Sequence, residues 1–111
     1  MKLPNADHAF VEPRKLTAYL LAHDHPEGGS KARFFTSVGF TLGNAALLGR
    51  ALLKVARNGE VVKVESSGYG MKYVVDGAIV SLTGRTVDVR TVWIIERGQD
   101  RPRLLTAYPA T

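Results

Sequence analysis

The chain contains no cysteine. That excludes disulfide staples, zinc–thiolate centres and a cysteine nucleophile. It also has no apolar run of bilayer-spanning length, and the opening MKLPNADHAFVEPRK lacks the apolar stretch of a signal peptide. The expectation is a soluble, cytoplasmic protein with no membrane partner. Several chemistries lack their marks as well: there is no P-loop, no GxGxxG fingerprint and no GxSxG elbow. The carboxylates are scattered, so neither a two-metal acidic cluster nor a glycosidase pair can be read from them.

What the chain does have is the make-up of one ordinary globular domain over residues 1–111, with 45% hydrophobic and 23% charged residues. Fifteen Lys and Arg against ten Asp and Glu give a net charge of +5. A basic balance suits polyanionic partners: nucleic acid, an acidic protein or a membrane surface.

Apolar spacing divides the chain in two. After an irregular start or short edge strand over residues 3–12, Leu16, Tyr19 and Leu20 fall at i, i+3, i+4 and predict a helix over 13–22 opened by Pro13. Ser30 is placed to cap a second helix over 31–38, with Gly39 ending it. Thr41 is placed to cap a third over 42–57, where Leu47, Leu48, Ala51, Leu52 and Val55 recur with helical spacing before Asn58-Gly59. The period then drops to two. Strands are predicted over 60–66, 71–80 (with a possible interruption at Gly77), 86–96 and 103–108, joined by short turns. The fold class is therefore α+β, with three N-terminal helices packed on a four-stranded antiparallel meander.

Two regions could carry chemistry. The loop His23-Asp24-His25-Pro26-Glu27-Gly28-Gly29-Ser30-Lys31 places His25 six positions before Lys31 and eight before Arg33. An imidazole titrates near neutral pH and can act as a general base, while Lys31 and Arg33 near a helix start can offset charge on a phosphate. The competing reading is a solvated polar loop. The same loop has donors for a divalent metal but matches no fixed-spacing zinc motif. The second region is the end of the sheet. If Val92, Ile94, Leu105 and Ala107 face the helices, then Thr91, Trp93, Thr106 and Tyr108 face solvent, where hydroxyls meet phosphate and Trp93 stacks a base. β-Propensity alone accounts for the same residue types. Arg90 and Lys72, the latter just after Gly68-Tyr69-Gly70, complete the candidate phosphate contacts.

The segments LPNADHAFVEPRKLTAYLL, HPEGGSKARFF, YGMKYVV and VRTVWIIERGQDRPRLLTAYP resemble a small uncharacterised bacterial domain family, over nearly the whole chain. More distantly, the element order and the closing Thr106-Ala107-Tyr108-Pro109 resemble the barnase, EndoU, colicin and RelE assemblage of ribonuclease toxins. That resemblance implies helices on a four-stranded sheet and metal-free RNA cleavage by dispersed residues. The fitting positions here are His25, Lys31, Arg33, Thr106 and Tyr108.

The functional expectation is a small basic nuclease, acting on RNA, without a cofactor. His25, Lys31, Arg33 and Thr106 would be catalytic, and Lys72, Arg90, Thr91, Trp93 and Tyr108 would bind nucleic acid. The alternatives are a non-catalytic partner-binding module of a toxin–antitoxin or immunity system, and a metal-dependent DNase. A small acidic neutralising protein is an expected partner. A homo-oligomer is also expected, through the terminal strand edge or the Trp93 face.

Overall fold

The computed structural model describes residues 1–110. It is an α+β structure with three helices in the N-terminal half and a four-stranded antiparallel sheet after them. Helix α1 begins as one α-turn, Pro13–Lys15, and widens into a π-helix over Leu16–Leu20, closed by Leu21 N–H donating to the Leu16 carbonyl at 2.9 Å. Helices α2 (Gly29–Ser37) and α3 (Ala45–Asn58) follow. Ser30 lies inside α2 rather than at its cap, because Gly28 takes the N-cap position. Thr41 opens a 3-10 turn, Leu42–Asn44, and its N–H donates to Asn44 Oδ1 at 2.7 Å before α3 begins. No single helix among the described residues is long and apolar enough to cross a membrane.

Strands β1 (Glu60–Ser67), β2 (Gly70–Val80), β3 (Thr86–Glu96) and β4 (Arg103–Pro109) lie side by side in chain order. β2 and β3 form the long central hairpin, pairing from Gly70–Glu96 down to Val80–Thr86. β1 covers β2 only as far as Asp76, and β4 covers β3 only between Val89 and Ile94. The lower end of the hairpin is thus a two-stranded extension. β2 runs through Gly77 without a break. The absent side chain there lets α3 approach, since a Cβ on Gly77 would stand 3.1 Å from Val55 Cγ1. Gly70, at φ 152, is required by the turn itself: a Cβ would fall 2.2 Å from the Ile95 carbonyl oxygen.

The core lies between helices and sheet. Leu48, Leu52, Val55 and Ala56 of α3 meet Leu16 and Leu20 of α1, Phe35 of α2, and Val75, Val89, Trp93, Leu104 and Ala107 of the sheet. Each fully buried Leu or Phe contributes roughly 1.5–3 kcal/mol. On β3 the expected orientation is reversed. Thr91 and Trp93 are fully buried at 0% exposure, on the helix side with Val89. Arg90, Val92 and Ile94 take the opposite face. The Thr91 hydroxyl donates to the Val75 carbonyl at 2.8 Å and accepts from Trp93 Nε1–H at 2.7 Å. Those bonds remove the cost of burying both polar groups. Neither side chain is open to nucleic acid, and Trp93 offers no face for self-association.

An N-terminal strap spans the sheet edges. The Met1 carbonyl accepts from Val61 N–H of β1 at 2.9 Å, Leu3 enters the core, and Phe10 makes a parallel bridge to Arg103 of β4. The start of β4 is therefore occupied along its outer edge, which narrows the edge available for pairing with another copy.

Candidate functional site

The π-turn of α1 brings Tyr19 beside β4. Its hydroxyl is hydrogen-bonded to the Thr106 hydroxyl at 3.1 Å. Thr106 reaches Tyr19 because β4 carries a bulge: Leu104 pairs with Trp93 but Thr106 pairs with Val92, leaving Leu105 as the extra residue. Leu104 and Ala107 consequently share the core face. Thr106 and Tyr108 lie in register with Val92 and Arg90, on the face away from the helices.

Around the Tyr19 ring stand three groups with positive or protic character. Lys15 Nζ lies 4.9 Å from its centroid and Lys31 Nζ 5.5 Å, both within cation–π range. The His25 ring meets it edge-on at 5.0 Å. His25, Lys31 and Thr106, far apart in sequence, therefore converge on one tyrosine. A shallow cleft of about 230 Å³ opens beside it, lined by Glu12, Arg14, Lys15, Ala18 and Tyr19. Glu12 is its carboxylate, bound through Oε1 to Arg103 at 3.2 Å.

The loop fixes the His25 ring. Glu27 N–H and Gly28 N–H donate to Nδ1 at 3.0 and 2.9 Å. With Nδ1 accepting, the neutral ring carries its proton on Nε2. In this arrangement His25 presents a donor, not the free lone pair a general base needs. Lys31 is steadied by donating to the Glu27 carbonyl at 3.2 Å.

The other candidates lie elsewhere. Arg33 follows Lys31 by two residues, about 200° around the helix, and its guanidinium lies near Gly29. It is not part of the Tyr19 group. Lys72 is on the open face of β2, in register with Glu65 and Ile94. Arg90 is on that face too, but both its Nε and an Nη bond the Asp76 carboxylate at 2.8 Å. That partner raises the Arg90 pKa above its ordinary value and occupies the fork. His23 Nε2 is engaged by the Thr36 hydroxyl at 3.0 Å. Among the described residues no three His, Asp or Glu side chains gather closely enough to hold a metal. Of this group, sequence reading passed over Lys15 and read Tyr19 only as part of an apolar stripe with Leu16 and Leu20; the i, i+4 spacing of Lys15 and Tyr19 was the available signal.

Three comparisons bear on this geometry. A family model described as a domain of unknown function, DUF6883, matches residues 2–111. No curated protein matches the chain. Among solved structures, a chain of a contact-dependent growth inhibition toxin–immunity protein complex from Klebsiella pneumoniae 342 is similar, with a TM-score of 0.73 and 14% identity. The alignment covers 96% of this chain and 97% of that one. At that identity the likeness is one of fold.

Proposed function

The chain belongs to the DUF6883 family, and on that premise we propose that it is a toxin-like domain that cleaves phosphodiester bonds in RNA. The observation that carries the reading is the convergence of His25, Lys31, Lys15 and Thr106 on Tyr19 at the β4 edge. Two ammonium groups, an imidazole N–H and two hydroxyls suit a phosphate whose charge grows in the transition state. Tyr108 continues the site onto the open sheet face.

In this reading the attacking 2′-hydroxyl loses its proton to a carboxylate, a new O–P bond forms, and the 5′-oxygen leaves with a proton. Two carboxylates border the ground. Asp76 has both oxygens engaged by Arg90, whereas Glu12 has one bonded to Arg103. Glu12 is thus the freer acceptor. His25 Nε2–H donates a hydrogen bond to the phosphate oxygen that gains charge. Solvent water protonates the departing 5′-oxygen as its bond to phosphorus breaks, and the hydroxide left is neutralised by the proton Glu12 has taken. Lys15 and Lys31 hold the phosphate.

The test is incubation of pure protein with labelled RNA and with single- and double-stranded DNA, with and without EDTA. RNA cleavage unaffected by EDTA supports the reading. Cleavage of DNA only with added metal replaces it with a metal-dependent DNase. No cleavage of any substrate leaves the second reading, a non-catalytic partner-binding module. That reading draws on the fold likeness to a chain from a toxin–immunity protein complex.

A further inference from the structure

On the other side of the molecule from β4, α3 and the lower end of the β2–β3 hairpin enclose a groove of about 320 Å³. Its floor is aliphatic: Leu47 and Ala51 from α3, Ile79 and Val80 from β2, and Leu82 beyond. Several of these side chains are open to solvent, Val80 at 70% and Leu82 at 49% exposure. Because β1 stops pairing at Asp76, the strand edge beside the groove is bare from Ala78 to Val80.

The rim is cationic. Arg50 and Lys54 line the groove, and with Arg57 they fall at i, i+4, i+7 on α3. Among the described residues none of the three has a carboxylate within ion-pair distance. The sequence offers them none locally, since residues 28–59 contain Lys31, Arg33, Arg50, Lys54 and Arg57 but no Asp or Glu. An apolar floor beneath unpaired cations is complementary to carboxylates flanking apolar side chains.

We propose that this groove docks an acidic amphipathic segment of a partner protein. A nucleic acid fits it less well: the one aromatic side chain in the lining, Phe40, is 1% exposed and offers no stacking surface. A second copy seated by two-fold symmetry would bring α3 cations against α3 cations. The surface lies apart from the Tyr19 site, so docking here does not require that site to be catalytic.

A titration followed by backbone amide NMR tests it, using a short synthetic helical peptide with Leu on one face and Glu on the other. The same peptide with Gln for Glu, and a short single-stranded RNA, serve as comparators. The Glu peptide is expected to shift amides from Leu47 to Lys54 and from Ile79 to Leu82. Its affinity should fall about tenfold in Arg50→Glu/Lys54→Glu, with less salt dependence remaining. Both positions are on the helix surface. If the reversal disturbs the spectrum, Arg50→Gln/Lys54→Gln gives the same direction of change. Cleavage of RNA by these variants at the parent rate separates the groove from the Tyr19 site. Absence of shifts at the groove, equal binding of the Gln peptide, or tighter binding of RNA at those same amides overturns the proposal.

Discussion

The helical half and the sheet half hold their charge differently. Residues 1–59 carry eight Lys and Arg against four carboxylates, whereas residues 60–110 carry seven against six. The sheet half is nearly balanced, and three of its seven cations are ion-paired: Arg90 to Asp76, Lys63 to Glu65, Arg103 to Glu96 and Glu12. The helical half has the surplus, and Lys15, Lys31, Arg50 and Lys54 stand without carboxylate partners among the described residues. A net charge of +5 suggests a basic sheet face only until its location is known. Most of the uncompensated charge sits on helices, at the Tyr19 site and along α3.

The sharpest way to break this contrast is to separate activity from stability. His25→Ala should lower RNA cleavage about 10²–10³-fold, the usual cost of a lost hydrogen-bond donor to the charge that builds in the transition state. Its unfolding free energy should fall by only about 1 kcal/mol, from the loss of the two backbone N–H bonds at Nδ1. A large fall in stability with unchanged cleavage would reverse the assignment. In the sheet the expected effect is the opposite. Thr91→Val strands the buried Trp93 Nε1–H and should cost about 1–3 kcal/mol in urea unfolding. If cleavage by the folded fraction falls with it, the sheet interior is more than scaffold.

A finer probe is salt. Lys31→Ala should make the slope of log affinity for single-stranded RNA against log salt shallower by about 0.7, one phosphate contact's worth. Fluorescence anisotropy over a salt series measures it. Arg90→Gln, whose parent side chain is already paired, should change the slope less. Equal slopes for both variants would erase the distinction between free and paired cations. The smallest effect concerns Glu60, whose carboxyl is held below its ordinary pKa, chiefly by the hydrogen bond and charge of Lys2. A depressed carboxyl contributes stability above its unfolded-state pKa and loses it as pH falls through the lower, folded value. Glu60→Gln should therefore be slightly less stable than the parent at neutral pH and equal to it at low pH, which flattens the acid limb of the stability–pH curve.

Much of the framework was legible because the period change at Asn58-Gly59 is unambiguous, and the bounds of β3 follow directly from its residues. The faces of β3 were not. Val89, Thr91, Trp93 and Ile95 are about as apolar as Val92 and Ile94 with Arg90, so alternation gives no decision. What decides is the Val75 carbonyl, which meets the Thr91 hydroxyl only once β2 and β3 pair. The bulge at Leu105 likewise shifts the phase of β4 midway, and no residue type announces it. At the candidate site, His25, Lys31 and Thr106 were singled out by residue type. Tyr19 was not, because a tyrosine on an apolar helical stripe reads as core until the π-turn shows its hydroxyl reaching the strand.

The strap formed by the first ten residues has a mechanical consequence. One end is bonded to β1 and the other to β4, so tension applied at the amino terminus reaches both margins of the sheet before the central hairpin. β2 and β3, paired along their whole length, would be the last elements to part. The chain should yield from its borders inward. In hydrogen exchange the Val61 and Leu104 amides, which donate to the strap, should open well before those of Val75 and Thr91.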